Sequence, residues 1–186
     1  MLHHRNGYSL IELIAVLAIL GILFTLAAPP MYRAIERNKA ANGINWVIRA
    51  VNMTRMSAVV HGTMTTLCPT RDGHACGGAW HERVMIFTDL DDDRVLNNQD
   101  RLITYLDFPY EGSTLKWRAF RNRQFLQMMP TGFTNYQNGN FVYCSQNQDL
   151  RFARQIVLNM QGRVKKSYDR DNDGLVEDRY GRHLRC

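Results

Sequence analysis

Apolar and polar positions divide the chain into three regimes. From Leu10 to Ala28, 19 residues, nearly every position is apolar and Glu12 is the only charged residue. A run of that length is close to the ~20 residues with which a helix crosses a bilayer. After Pro29-Pro30 the pattern becomes amphipathic. Ile44, Val47, Ile48, Val51, Ala58 and Val59 share one helical face, and Arg33, Glu36, Arg37, Lys39, Arg49 and Arg55 lie off it. His61-Gly62 reads as the helix end, with Gly62 where a left-handed glycine commonly closes a helix. The spacing predicts one helix over Tyr8–His61, about 80 Å long at 1.5 Å per residue and bent near the prolines.

From Thr63 onward the period shortens. Strand-like runs occur at Thr63–Cys68, Val84–Thr88, Leu102–Leu106, Thr114–Phe120, Phe125–Met129, Phe141–Tyr143, Gln155–Met160 and Arg163–Lys166. Turn signals separate them: Gly77-Gly78, Glu111-Gly112, Thr131-Gly132, Asn138-Gly139 and Gln161-Gly162. The expected fold class is α+β, one helix against antiparallel sheet. The expected divisions are residues 8–30 (apolar helix), 31–62 (its amphipathic continuation) and 63–186 (β-rich domain). There is no internal repeat and no low-complexity linker.

Composition adds two constraints. Eight Tyr, eight Phe and three Trp suit a packed domain rather than a disordered chain. The net charge of +6 is explained first by simple solubility or attraction to anionic lipid, with a nucleic-acid partner as the sharper alternative. The four cysteines, Cys68, Cys76, Cys144 and Cys186, include no Cys-x-x-Cys pair and no histidine at zinc spacing, which argues against zinc. An even number behind a membrane-targeting segment points to an oxidising compartment. Three pairings are possible. The favoured one joins Cys68 to Cys76 around a short Gly-rich loop and Cys144 to Cys186 at the C-terminus, worth about 2.5 and 4 kcal/mol by loop entropy.

Three readings compete for the N-terminus. A cleaved secretory signal fits the basic start and apolar run, but Leu26 is not the small residue wanted before a cut at Ala28, and Glu12 interrupts the apolar region. A single-pass anchor explains the length but neither Gly7 nor Glu12. The third reading explains all of these. "NGYSLIELIAVLAILGIL" resembles the N-terminus of type IV pilins and type II secretion pseudopilins. The resemblance implies a leader at residues 1–7, cleavage between Gly7 and Tyr8 by prepilin peptidase, and N-methylation of Tyr8, where Phe is usual. It also gives Glu12 a role in assembly. A carboxylate costs roughly 2.5–3.5 kcal/mol at mid-bilayer. Paired with the new amine of a neighbouring subunit inside an apolar bundle, it becomes part of an ion pair.

The stretches "MTTLCP", "VMIFTDLDDD" and "IVLNMQGRVKK" extend the resemblance to the FimT/FimU and GspH group of minor pilins and pseudopilins. That group implies a type IV pilin-like fold, a long helix with a C-terminal β-sandwich-like globule. It implies other minor and major pilins, prepilin peptidase and the inner membrane as partners, a periplasmic globular domain, and later a place at the pilus tip. No cofactor is implied.

Two acidic segments and a basic one remain. "DLDDDRVLNNQD" and "DRDNDGLVEDRY" read first as solvated acidic turns, with a Ca²⁺ loop through Asp169, Asp171 and Asp173 as the alternative; Tyr180 stands where such a loop wants a bidentate Glu. No nucleophile elbow, phosphate-cradling loop or dinucleotide fingerprint is present, so an enzyme is not expected. At the C-terminus, "RYGRHLRC" sets Arg179, Arg182 and Arg185 close together, after Arg163, Lys165 and Lys166. Arginine's planar fork suits phosphate. DNA-binding minor pilins of the FimT type carry a basic tail with Gly-Arg-x-Arg; here Gly181-Arg182-His183-Leu184-Arg185 is one residue longer. These six residues grip DNA, or the tail arginines neutralise the carboxylates of Asp169–Asp178. The function expected is a FimT/FimU-like minor pilin that helps prime assembly. A DNA-uptake subunit and a GspH-like pseudopilin of type II secretion are the alternatives.

Overall fold

The computed structural model describes residues 9–186. Gly7, Tyr8 and the expected leader lie outside the described residues. Helix α1 (Leu10–His61) runs unbroken through Pro29 and Pro30. Ser9 caps its start, its Oγ accepting the Glu12 N–H at 3.3 Å, and so satisfies one of the first-turn donors. Gly62 follows the last turn with φ 65°, a conformation glycine adopts without steric cost.

The chain forms two compact units, 1–37 and 38–186. In the first, the apolar residues from Leu10 to Leu26 are exposed, and the most apolar window has none of its residues buried.

The second unit begins with the remainder of α1. Ala40, Ile44, Val47, Val51, Thr54 and Ala58 form its buried stripe. Val59, expected on that face, is 52% exposed, because the seam advances by threes and fours from Val51 through Thr54 to Ala58. Glu36, at the end of the first unit, was expected off the buried face and is 7% exposed.

Eight strands follow: β1 (Thr65–Pro69), β2 (Arg83–Thr88), β3 (Leu102–Asp107), β4 (Thr114–Ala119), β5 (Leu126–Met128), β6 (Gly139–Cys144), β7 (Arg154–Leu158) and β8 (Val164–Lys166). They make two antiparallel sheets, ordered β3-β2-β1-β5 and β4-β6-β7-β8. One core joins α1 to the inner faces of both: Ile44, Val47 and Val51 pack with Leu67, Val84 and Ile86 of the first sheet and with Trp117, Phe141 and Ile156 of the second. Trp117 stacks on Phe141 with ring centroids 4.3 Å apart.

The turn expected at Asn138-Gly139 runs one residue into β6. Gly139 is the first residue of β6 and pairs with Ala119 and Leu158. A Cβ there would lie 2.3 Å from the Arg118 main-chain oxygen and 2.7 Å from the Trp117 ring, so the close approach of β4 requires glycine.

The disulfides are Cys68–Cys76 and Cys144–Cys186. The first closes a loop organised by Asp72, whose Oδ1 accepts the main-chain N–H groups of His74 and Ala75 at 2.8 and 3.0 Å. Those bonds lower the Asp72 carboxyl to about 2.

A basic groove as candidate functional site

Strand alternation builds the outer face of the second sheet. In β4, Leu115 and Trp117 turn into the core, which sends Lys116 and Arg118 outward. In β6 and β7 the same rule buries Phe141 and Ile156 and leaves Asn140, Val142, Gln155 and Val157 outward. The register then places Arg118, Asn140, Val157 and Lys165 in one row across four strands. Lys166, one residue on, faces the other way, and its Nζ donates to Asn45 Oδ1 of α1 at 2.9 Å.

The C-terminal segment folds over this face as a small hairpin. Glu177 bridges to His183, Asp178 and Arg182 are joined by a main-chain bond of 2.8 Å, and Gly181 turns the chain with φ 73°. Val176 and Leu184 bury against Ala153, and the Cys144–Cys186 bond fastens the end to β6. Lys116 Nζ donates to the main-chain oxygen of Cys186. The hairpin tip carries Arg179 and Tyr180.

Between hairpin and sheet lies a groove of about 440 Å³. Arg118, Phe120, Asn140, Arg179, Tyr180 and Arg185 are among its walls and floor. The three tail arginines differ in state. Arg182 forks onto Asp178, with Nη2 and Nε 2.8 and 3.1 Å from Oδ2. Arg179 and Arg182 lie against the Tyr180 ring, 4.6 and 5.0 Å from its centroid, and Arg179 also bonds the Tyr180 hydroxyl. Arg185 is exposed and, among the described residues, makes no side-chain bond; the same holds for Arg118. Desolvation pushes the Asp178 carboxyl upward. It is outweighed by the Arg182 main-chain and guanidinium donors, the Tyr180 N–H and the Arg182 charge, so Asp178 stays below the usual carboxylate range.

The residues expected in a cationic site are therefore divided. Arg179, Arg182 and Arg185 line the groove, Lys165 shares its face, Arg163 precedes β8 beside it, and Lys166 is turned away. Arg118 and Phe120 were not anticipated. Period-2 alternation through "TLKWRAF" was the available signal, since it sends Lys116, Arg118 and Phe120 to one side.

The acidic turn lies next to the hairpin. Asp169 accepts the N–H groups of Asn172 and Gly174, and Asp171 and Asp173 accept those two residues ahead. Ligand oxygens of Asp169, Asp171 and Glu177 lie within 4.8 Å of one another, as do ligand atoms of Asp171, Asp173 and His183 and those of Asp89, Asp91 and Asp93. Of these residues, His183 Nε2 meets Asp173 Oδ2 at 2.9 Å, a link that ties hairpin to turn.

Comparison with known proteins finds two family models on the chain. The prokaryotic N-terminal methylation motif matches residues 2–28. The model described as type II transport protein GspH matches residues 44–162, nearly two thirds of the chain. Fimbrial protein EcpB of Eikenella corrodens is 31% identical over 72 residues, which cover 39% of this chain and 45% of that protein. The type IV minor pilin FimU of Pseudomonas aeruginosa has a similar fold, with a TM-score of 0.53 and 15% identity over 75% of this chain and 93% of that one. A second crystal form of FimU gives a TM-score of 0.50 over 70% and 91%. With a GspH model spanning the β-rich unit and a methylation motif at the head of an uncovered apolar helix, the chain belongs to the GspH family of minor pilins and pseudopilins.

Proposed function

We infer that this chain is a minor subunit of a type IV pilus, of the FimT/FimU kind, incorporated near the tip, where it helps prime assembly. The observation that carries the reading is the apolar stretch Leu10–Ala28 of the first unit: an exposed helical run with a single acid, Glu12, in its first turn. Such a helix needs lipid before assembly and neighbouring helices afterwards. Residues 1–7 are the leader, prepilin peptidase cuts after Gly7, and Tyr8 is methylated. Glu12 of the mature subunit pairs with the amine of a neighbour. The subunit waits in the inner membrane with its β-rich domain in the periplasm and then docks with other minor and major pilins.

The same architecture serves a type II secretion filament, which the GspH description favours. A second activity, gripping DNA during uptake, is supported by Arg118 and Arg185, which make no side-chain bond among the described residues and line the groove with Arg179. The assembly role is tested with Glu12→Ala. The variant inserts and is cleaved normally, since removing an acid eases insertion, but it is depleted from sheared filaments relative to wild type. Equal amounts in both filament fractions refute the pairing role.

A further inference from the structure

We propose that the groove between the second sheet and the C-terminal hairpin is a site for single-stranded polynucleotide, with unpaired bases stacking at its rim and phosphates held by Arg118 and Arg185. This rests on the DNA reading above and narrows it. Three features meet in the groove. Arg118 and Arg185, from segments far apart in sequence, are both exposed and without a bonding partner among the described residues. The one carboxylate in the lining, Asp178, is already occupied by Arg182, so the free charge of the groove is positive.

The rim is aromatic. Phe120 is 61% exposed although its backbone is held in place, its N–H donating to the Asn138 carbonyl at 3.1 Å. It stands at the start of a short 3₁₀ turn, Phe120–Asn122, in which Arg121 and Asn122 both take left-handed conformations, φ 58° and 53°. Two consecutive non-glycine residues there are unfavourable, and strain of this kind clusters where a side chain must be presented for binding. Across the groove, Tyr180 lies against Arg179 and Arg182. Guanidinium planes, like rings, stack on bases.

Geometry selects the single strand. A cavity of this size is that of a small-molecule site, and a double helix cannot enter it. A duplex could touch the outer arginines with its phosphates but would leave the Phe120 ring unused, because its bases are stacked and paired. A strand with free bases uses both the free cations and the aromatic rim. Stacking tolerates any base, so little sequence preference is expected.

The test uses the full chain in detergent micelles and fluorescence anisotropy at low salt. The probes are a labelled oligothymidylate, a duplex carrying the same number of phosphates, and inorganic polyphosphate as competitor. The single strand is expected to bind at least about fivefold more tightly than the duplex, as one stacked base contributes. Phe120→Ala is expected to weaken single-strand binding by roughly fivefold or more and leave duplex binding unchanged. Arg118→Gln is expected to flatten the single-strand salt slope by about 0.7. Phe120 and Arg118 are both exposed, and an unchanged melting curve confirms that each variant is folded. Duplex binding as tight as the single strand, with Phe120→Ala silent, overturns the proposal and leaves the DNA reading standing. Polyphosphate competing as well as DNA of equal charge, again with Phe120→Ala silent, reduces the groove to a phosphate site and also overturns it. Absence of binding by either nucleic acid overturns both.

Discussion

Gly139→Ala is the sharpest test of how β4 meets β6. The added methyl would sit 2.3 Å from the Arg118 main-chain oxygen, 2.7 Å from the Trp117 ring and 3.0 Å from the Ala119 Cα. Two of these three neighbours are backbone, and the third is a buried ring stacked on Phe141. None can move aside by a rotamer change, so the end of the β4–β6 ladder must open. Opening it endangers the Ala119–Gly139 pairing and the Phe120 N–H bond to Asn138. Each such bond is worth about 1 kcal/mol. Overpacking in a fixed core typically costs a further 1–3 kcal/mol or so. Replacing glycine returns up to about 1 kcal/mol through the unfolded chain. A net loss of roughly 2–4 kcal/mol follows, which for a chain of this size lowers the melting temperature by about 4–16 °C. Thermal unfolding followed by far-UV circular dichroism measures it. Gly77→Ala is the control, since a Cβ there meets nothing within 4 Å. If Gly139→Ala melts with wild type, the close approach of the strands is wrong.

Two further outcomes are expected. Cys186→Ser releases a bond that spans 42 residues; by loop entropy the loss is about 4 kcal/mol, read as a lower melting temperature and faster tryptic cleavage after Arg182 and Arg185. Asp72 is held at about 2 by the His74 and Ala75 N–H groups, so its contribution is fully present above the ordinary carboxylate value near 4 and is lost as pH falls through about 2. A carboxyl titration by NMR with a midpoint near 4 contradicts the Asp72 bonding pattern.

Much of the fold was legible in the strands' apolar runs. In β4 one face is buried, so Leu115 and Trp117 recur every second residue. β1 and β2 are buried on both faces, and β2 reads as a continuous apolar run from Val84 to Phe87; glycines such as Gly112 and Gly162 mark the turns with positive φ. Where local pattern misled, a tertiary contact had decided. Val59 is apolar and in phase with Val51 and Ala58 when faces are judged broadly, but the buried seam is narrow. Asn138-Gly139 has turn chemistry, yet glycine is needed there for the approach of Arg118. Glu36 reads as a solvated charge, and its burial has no counterpart in local sequence. The groove was half legible. The tail arginines are neighbours in sequence, but Arg118 and Asn140 join them only through the β4–β6–β7 register and the fold-back of the hairpin.

Counting positive residues therefore says little about a binding face, and availability says more. Arg182 is neutralised by Asp178, Lys166 is taken up by Asn45 on the opposite side, and Lys116 is spent on the Cys186 carbonyl. Among the described residues, Arg182 alone of the tail arginines turns to a nearby carboxylate, so internal neutralisation accounts for one of three. What is left over is directional: Arg118 and Arg185 in the groove, with Lys165 in the Arg118 row of the sheet. Residual charge that faces one way, beside an exposed ring held by a strained turn, is not what solubility alone requires, since dispersed lysines would serve that end as well. The apolar helix and the groove are separate features of the chain, and a ligand that brings negative charge and flat apolar surface together is the chemistry that would use the groove.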